Sequence, residues 1–139
     1  MDDPLAHRAL DGLLRAEAAV RRRLSGDLER EGLSAAGFSV LVVLVTAGGE
    51  LELRTLRRRL GTSKASATEV TGTLEGRGLV RRERPPHDRR TVVVSLTELG
   101  QEVVDRLFPE HASRVALTFA ALDDDEKRTL AELCRKLAA

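Results

Sequence analysis

Ser63, Lys64, Ser66, Thr68 and Thr71 place four hydroxyls and an ammonium within nine residues, and a second group, His87-Asp88-Arg89-Arg90, follows Pro85-Pro86. Hydroxyls and cations at such spacing are the groups that reach phosphate oxygens and the edges of bases. On a helix whose other residues are small, they can be carried into a groove about 12 Å wide. The plainer reading is an amphipathic helix with a solvated face, and helix composition alone leaves the two even. In the second group, Asp88 can hold an Arg side chain while Arg90 reaches across a hairpin tip towards the narrow, electronegative minor groove. His87 and Arg89 are then phosphate neighbours; a turn that simply carries surface charge is the alternative. Glu69 is an acid among these candidates. It either accepts from cytosine N4 or turns back to orient a base such as Lys64 or Arg77, and the second avoids unmatched desolvation.

The elements that would position these residues run from Leu53 to Thr97. Leu53, Leu56 and Leu60 recur at helical spacing, and Gly61 supplies the left-handed residue that stops a helix. Thr62 or Ser63 caps the next helix, which passes through Ala65, Ala67, Val70 and Leu74, expected on its core side, and ends at Gly76 and Gly78. Leu79–Arg84 and the β-branched stretch Thr91–Leu96 read as two strands joined by the turn at Pro85–Asp88. Two helices and a hairpin in this order form a winged helix-turn-helix, whose second helix fits the major groove of DNA.

Around this unit lie longer helices. Leu10, Leu13, Leu14, Val20, Leu24 and Leu28 predict a first helix over 5–31. Ser34 caps a second from Ala35 to about Ala47; the run Phe38 to Val45 could pass for a buried strand, but the capping serine argues for a helix. Leu51 fits one rung of strand beside the hairpin. Thr97 caps a fifth helix striped with Leu99, Val103, Leu107, Val115 and Phe119, which Pro109 should kink or divide. Asp123 and Glu126 form a capping box for a last helix with Leu130, Leu133 and Leu137 on one side. The first and last helices leave apolar faces that a second copy of the chain would cover, predicting a two-fold dimer; a monomer folding them back on itself is the alternative.

A length of 139 residues suits one domain with a real core. No apolar run approaches the ~18 residues of a membrane span, the acidic start is unlike a signal peptide, and one cysteine allows no internal disulfide, so a cytoplasmic protein is expected. The net charge of +1 hides an asymmetry: residues 48–96 carry 11 bases and 6 acids, while residues 97–139 carry 6 bases and 9 acids. The positive third coincides with the winged unit, as a phosphate-binding surface requires. Histidines 7, 87 and 111 lack partners at metal spacing, so neither metal nor cofactor is expected. No nucleophile elbow, phosphate loop or carboxylate pair suggests an enzyme. Cys134 has no resolving partner in the chain and reads as packing.

The chain also resembles the MarR-type transcription regulators, through Leu74-Glu75, Gly78-Leu79-Val80, Asp88-Arg89-Arg90, Thr97 and Gly100 at the family's spacings. Glu69 departs from the family pattern, which often carries Arg, Asn, Gly or Ser there. The resemblance implies a mainly α fold with a small β-wing, with residues 34–97 as the DNA-binding lobe and residues 5–31 and 98–139 as a helical dimerisation lobe. It assigns Arg90 to the wing contact and Asp88 as its organiser. It implies a dimeric repressor of a pseudo-palindromic operator in double-stranded DNA, relieved by a small-molecule effector held where the first, second and fifth helices meet the wing unit. A winged-helix module that binds protein and has lost DNA is the alternative, weakly favoured by Glu69.

Overall fold

A computed structural model describes residues 1–138. Local capping signals build most of its elements. Asp3 accepts the Ala6 N–H at 3.0 Å to start α1 (Pro4–Arg30). Ser34 accepts the Gly37 N–H at 3.0 Å to start α2 (Ala35–Thr46), so the apolar run from Phe38 is helical. A short strand, β1 (Glu50–Glu52), leads into α3 (Leu53–Leu60), which Gly61 ends at φ +63°. Ser63 rather than Thr62 caps α4 (Lys64–Gly76), accepting the Ser66 N–H at 3.1 Å. After β2 (Val80–Glu83) and β3 (Val93–Leu96), Thr97 caps α5 (Glu98–Thr118). Asp123 and Glu126 cap each other's N–H groups at 2.8 and 2.9 Å ahead of α6 (Asp124–Ala138). The result is mainly α with a small antiparallel wing, in strand order β1-β3-β2.

The core lies around α2. Phe38, Val40, Leu41 and Leu44 are buried against Leu28 of α1, Leu56 of α3, Leu74 of α4, Val80 and Val94 of the sheet, and Val103 and Val104 of α5. Leu51 of β1 faces Val94 of β3, which ties the start of α3 to the wing.

Both wing strands are shorter than expected. The Leu79 N–H bonds back to the Leu74 carbonyl at 3.0 Å, closing the C-terminus of α4 around Gly78 at φ +74°. At the other end, Thr91 is drawn into the turn by both the carbonyl and the carboxylate of Asp88. Pro109 does not divide α5, which stays helical through it. Only the N–H that the Asp105 carbonyl would accept is lost.

A cluster that sequence periodicity did not mark joins α1 to α5. Arg114 grips Asp27 with Nε–Oδ2 at 2.6 Å and Nη2–Oδ1 at 2.9 Å, and Arg30 pairs with the same carboxylate. Burial pushes the Asp27 carboxyl up, but the Arg30 hydrogen bond and the two guanidinium charges prevail and hold it below its ordinary value. The neighbouring His111, edge-on to Phe38 with centroids 4.8 Å apart, is pushed below its ordinary value by burial, against the attraction of Asp27.

α6 and the N-terminal half of α1 remain uncovered. Every described residue of α6 is exposed, with Leu130, Leu133 and Leu137 open to solvent, as are Leu5, Leu10, Leu13 and Leu14 of α1.

Thr97 and Gly100 fix where α5 leaves the wing. The Thr97 hydroxyl donates to the Gly78 carbonyl at 2.6 Å and accepts the Gly100 N–H at 3.1 Å. A Cβ at Gly100 would lie 2.2 Å from the Leu79 carbonyl oxygen and 2.7 Å from Leu96 Cδ1. Backbone cannot yield there as a flexible side chain would. Gly100→Ala should therefore destabilise the fold by about 3 kcal/mol, read as a lowered midpoint in urea; an unchanged midpoint would refute this packing.

Candidate nucleic-acid interface

The position of α4 follows from which of its side chains are buried. Ala67, Thr71 and Leu74 point into the core, while Lys64, Ala65, Ser66, Thr68 and Glu69 are exposed. Thr71 is thus not a groove-facing hydroxyl: it is fully buried and donates to the Ala67 carbonyl at 2.7 Å. That bond removes the penalty of burying a hydroxyl. Ala65, expected inside, is outside. Sorting by polarity misplaced both, because positions 67, 71 and 74 share one face of a 3.6-residue helix whatever their chemistry.

Several hydroxyls on the exposed side have their protons engaged. Ser63 donates to Ser66 Oγ at 3.0 Å and Thr68 donates to the Lys64 carbonyl at 2.8 Å. Their oxygens keep lone pairs and can accept from base amino groups, whereas donation to a phosphate needs the hydroxyl to rotate.

Between α3, α4 and the wing runs an open groove of about 870 Å³, lined by Arg54, Arg57, Lys64, Arg82, Arg84 and Arg90 and by Glu52, Glu75, Glu83 and Asp88. Three of these acids are spent internally, beginning with Glu52, which pairs with Arg54 at 3.3 Å. The Glu75 carboxylate accepts the Arg82 backbone N–H at 2.8 Å and Nε at 3.2 Å, and Arg82 Nη1 continues to the Thr68 carbonyl at 3.2 Å. The Arg82 guanidinium lies over Gly72, where an added Cβ would sit 3.4 Å from Nη2. These contacts, led by the Arg82 N–H, hold the Glu75 carboxyl below its ordinary value against some desolvation.

Asp88 organises the wing tip, though not by gripping an arginine side chain as expected. Its Oδ1 accepts the Arg90 backbone N–H at 3.0 Å and its Oδ2 accepts the Thr91 hydroxyl at 2.8 Å; the Thr91 bond contributes most to the depression of its carboxyl. Arg84 supports the tip from below by donating to the Arg89 carbonyl at 2.7 Å. Arg90 lines the groove, and among the described residues its guanidinium enters none of the ion pairs, unlike Arg54 and Arg82, which pair with Glu52 and Glu75.

The structure therefore gathers Lys64, Thr68, Asp88 and Arg90 around one groove. Ser63 and Ser66 sit at the exposed start of α4, and His87 and Arg89 are exposed at the wing tip outside the groove lining. Glu69 also lies outside it, bordering a shallow pocket with Thr73 and Arg77. Its expected pairing with Lys64 or Arg77 is not made. Lys64 lies five residues away, about 140° around the helix, and Arg77 donates instead to the Gly32 and Glu31 carbonyls at 2.7 and 2.8 Å. Sequence reasoning overlooked Arg54, Arg57, Arg82, Arg84 and Glu75. For Arg82 and Arg84 a signal was present, since alternate residues of a strand share one face.

The MarR family model matches residues 31–91. An uncharacterized HTH-type transcriptional regulator of Bacillus subtilis, YkoM, is 34% identical over 122 residues, covering 88% of this chain and 79% of its own. The structure superposes with TM-score 0.86 on Sco3205, a MarR family transcriptional regulator from Streptomyces coelicolor solved in complex with DNA; the two are 25% identical over 99% of this chain and 88% of that one. BpsR of Bordetella bronchiseptica, solved to explain how 6-hydroxynicotinic acid regulates its DNA binding, is 26% identical over 99% of this chain and 100% of its own, with TM-score 0.74. These relatives are transcription regulators rather than enzymes.

The Glu75–Arg82 contact should govern how firmly the wing is held to α4. In Glu75→Ala, hydrogen exchange at the Arg82 amide should accelerate roughly tenfold, in keeping with loss of a bond to a charged acceptor. Unchanged exchange would show that the strand pairing alone fixes the wing.

Proposed function

Because this chain belongs to the MarR family of transcriptional regulators, we propose that it is a dimeric, sequence-specific repressor whose α4 enters the major groove while the wing follows the adjacent backbone and minor groove. The observation that carries this reading is the groove between α3, α4 and the wing, whose lining holds six cations to four acids and includes Arg90. Lys64 and the oxygens of Ser63, Ser66 and Thr68 serve phosphates and base edges; His87 and Arg89 flank the backbone beyond the tip. Asp88 acts by shaping the tip. Arg54 and Arg57 of α3 add phosphate contacts, as the first helix of a helix-turn-helix crosses the backbone.

In this reading residues 34–97 form the DNA-binding lobe and residues 5–31 with 98–139 the dimerisation lobe. The open leucines of α1 and α6 are covered by the same helices of a second copy, and the two-fold axis presents two α4 helices to a pseudo-palindromic operator. Occupying such an operator in a promoter excludes polymerase. An effector held where α1, α2 and α5 meet, near Phe38 and His111, would relieve repression by changing the separation of the two recognition helices. No helix among the described residues is long and apolar enough to cross a membrane, and the protein acts where the chromosome is, in the cytoplasm.

Fluorescence anisotropy with the DNA upstream of its own gene, against random DNA over a series of salt concentrations, tests the proposal. A repressor shows tight binding to the upstream DNA that weakens linearly on a log–log salt plot; no affinity for either DNA leaves the protein-interaction module. Arg90→Ala should weaken binding to every sequence on the order of tenfold and reduce the salt slope by about one per lost phosphate contact. An unchanged slope and affinity would remove the wing from the interface. Sedimentation at micromolar concentration should show a dimer that dissociates when residues 124–139 are deleted, and a folded monomer of the full chain would refute the two-fold arrangement.

A further inference from the structure

We propose that Glu69 sets sequence specificity by accepting a hydrogen bond from the exocyclic N4 amino group of a cytosine in the major groove; the inference rests on the DNA-binding reading above. Opposite the buried face of α4 formed by Ala67, Thr71 and Leu74, the exposed crest of the helix consists of Ala65, Glu69 and Gly76, with Gly72 beside them half-buried under the Arg82 guanidinium. Glu69 is the only member of this row with a side chain long enough to reach beyond the backbone envelope, so a groove that accepts the helix meets this carboxylate beside the Arg82 guanidinium over Gly72.

The carboxylate is also free. Its neighbours one turn away on the helix, Ala65, Ser66, Gly72 and Thr73, carry no charge, and the Arg82 guanidinium that lies over Gly72 is bonded to Glu75 and the Thr68 carbonyl. Thr73 turns its hydroxyl to the Glu69 backbone carbonyl at 3.1 Å, and Arg77 is held by two carbonyls at the end of α1. Among the described residues, Glu69 enters no ion pair and its side chain takes no hydrogen bond, so both of its ordinary structural roles fall away.

An ionised carboxylate only accepts, and phosphates repel it. At the centre of the major groove the base edges offer two amino donors, cytosine N4 and adenine N6. Adenine sets its donor beside the N7 acceptor, which a carboxylate meets lone pair to lone pair. Cytosine presents its donor with no acceptor on its own edge. Glutamine reverses the balance, because its amide donates to N7 while its oxygen accepts from N6. A central position on the helix crest keeps the charge as far from both phosphate strands as the groove allows.

Selection from randomised duplex DNA with the full-length protein tests this. The natural protein should enrich a cytosine at one symmetry-related position of each half-site, with a preference of roughly tenfold or more over other bases. Glu69→Gln should change that base to adenine and leave the remaining positions as they were. Glu69→Ala should lose the preference at that position alone, and as the side chain is exposed neither variant should melt differently. If Glu69→Gln selects the same base, or binds all sequences more tightly by one common factor, the carboxylate merely repels DNA and the inference is wrong. If the natural protein enriches no sequence while Glu69→Gln does, the DNA-binding reading fails with it.

Discussion

The relation between recognition helix and wing depends on a single carboxylate. Glu75, in the last turn of α4, accepts both the backbone and the side chain of Arg82 in β2, and Arg82 spans back to the Thr68 carbonyl seven residues earlier in the same helix. One arginine thus bridges two turns of α4 and one strand, lying over Gly72, where a larger residue would crowd it. The arrangement neutralises Glu75 as the Arg54–Glu52 pair neutralises Glu52, and leaves Lys64 and Arg90 among the lining cations that enter no ion pair among the described residues. A helix and a hairpin that packed only through apolar contacts could slide; charge-assisted hydrogen bonds with fixed directions cannot do so without leaving a partner unmatched.

A second set of directional bonds ties this unit to the long helices. Arg77, just past the end of α4, donates to the Glu31 and Gly32 carbonyls at the end of α1, and the Glu31 carboxylate accepts from Arg106 of α5 at 2.7 Å. Gly32 takes φ +72° there and presents no Cβ to the guanidinium that lies against it. Three helices therefore meet at one residue, with the Asp27–Arg114 pair one turn further back along α1. A continuous chain of polar contacts thus joins α1 and α5 to the C-terminal end of α4.

What the sequence by itself determined is the set of elements and their order. Caps are local: Ser34, Ser63, Thr97 and the Asp123–Glu126 pair each act within three residues, so each could be read before any tertiary contact was known. The same holds for Gly61 and Gly78, whose left-handed backbone ends a helix wherever the helix packs. The basic third of the chain and the apolar side of the last helix follow from composition and period in the same way. The family motif was likewise legible, although the reason for one of its residues, Gly100, appears only in its 2.2 Å approach to the Leu79 carbonyl.

Tertiary structure alone decided which polar groups are spent. Thr71 and Ala65 exchanged their expected places because the direction of the core, not polarity, sets the rotation of α4 about its axis. Asp88 turned to the backbone of its own tip, Glu75 to a strand seven residues on, and Arg77 to carbonyls 45 and 46 residues earlier. A charged side chain in sequence carries no record of its partner, since pairing depends on distances between elements that are remote along the chain. Glu69 shows this most plainly: its chemistry was visible as a letter, but its freedom followed only once its two nearest candidates for pairing were placed out of reach or bound elsewhere.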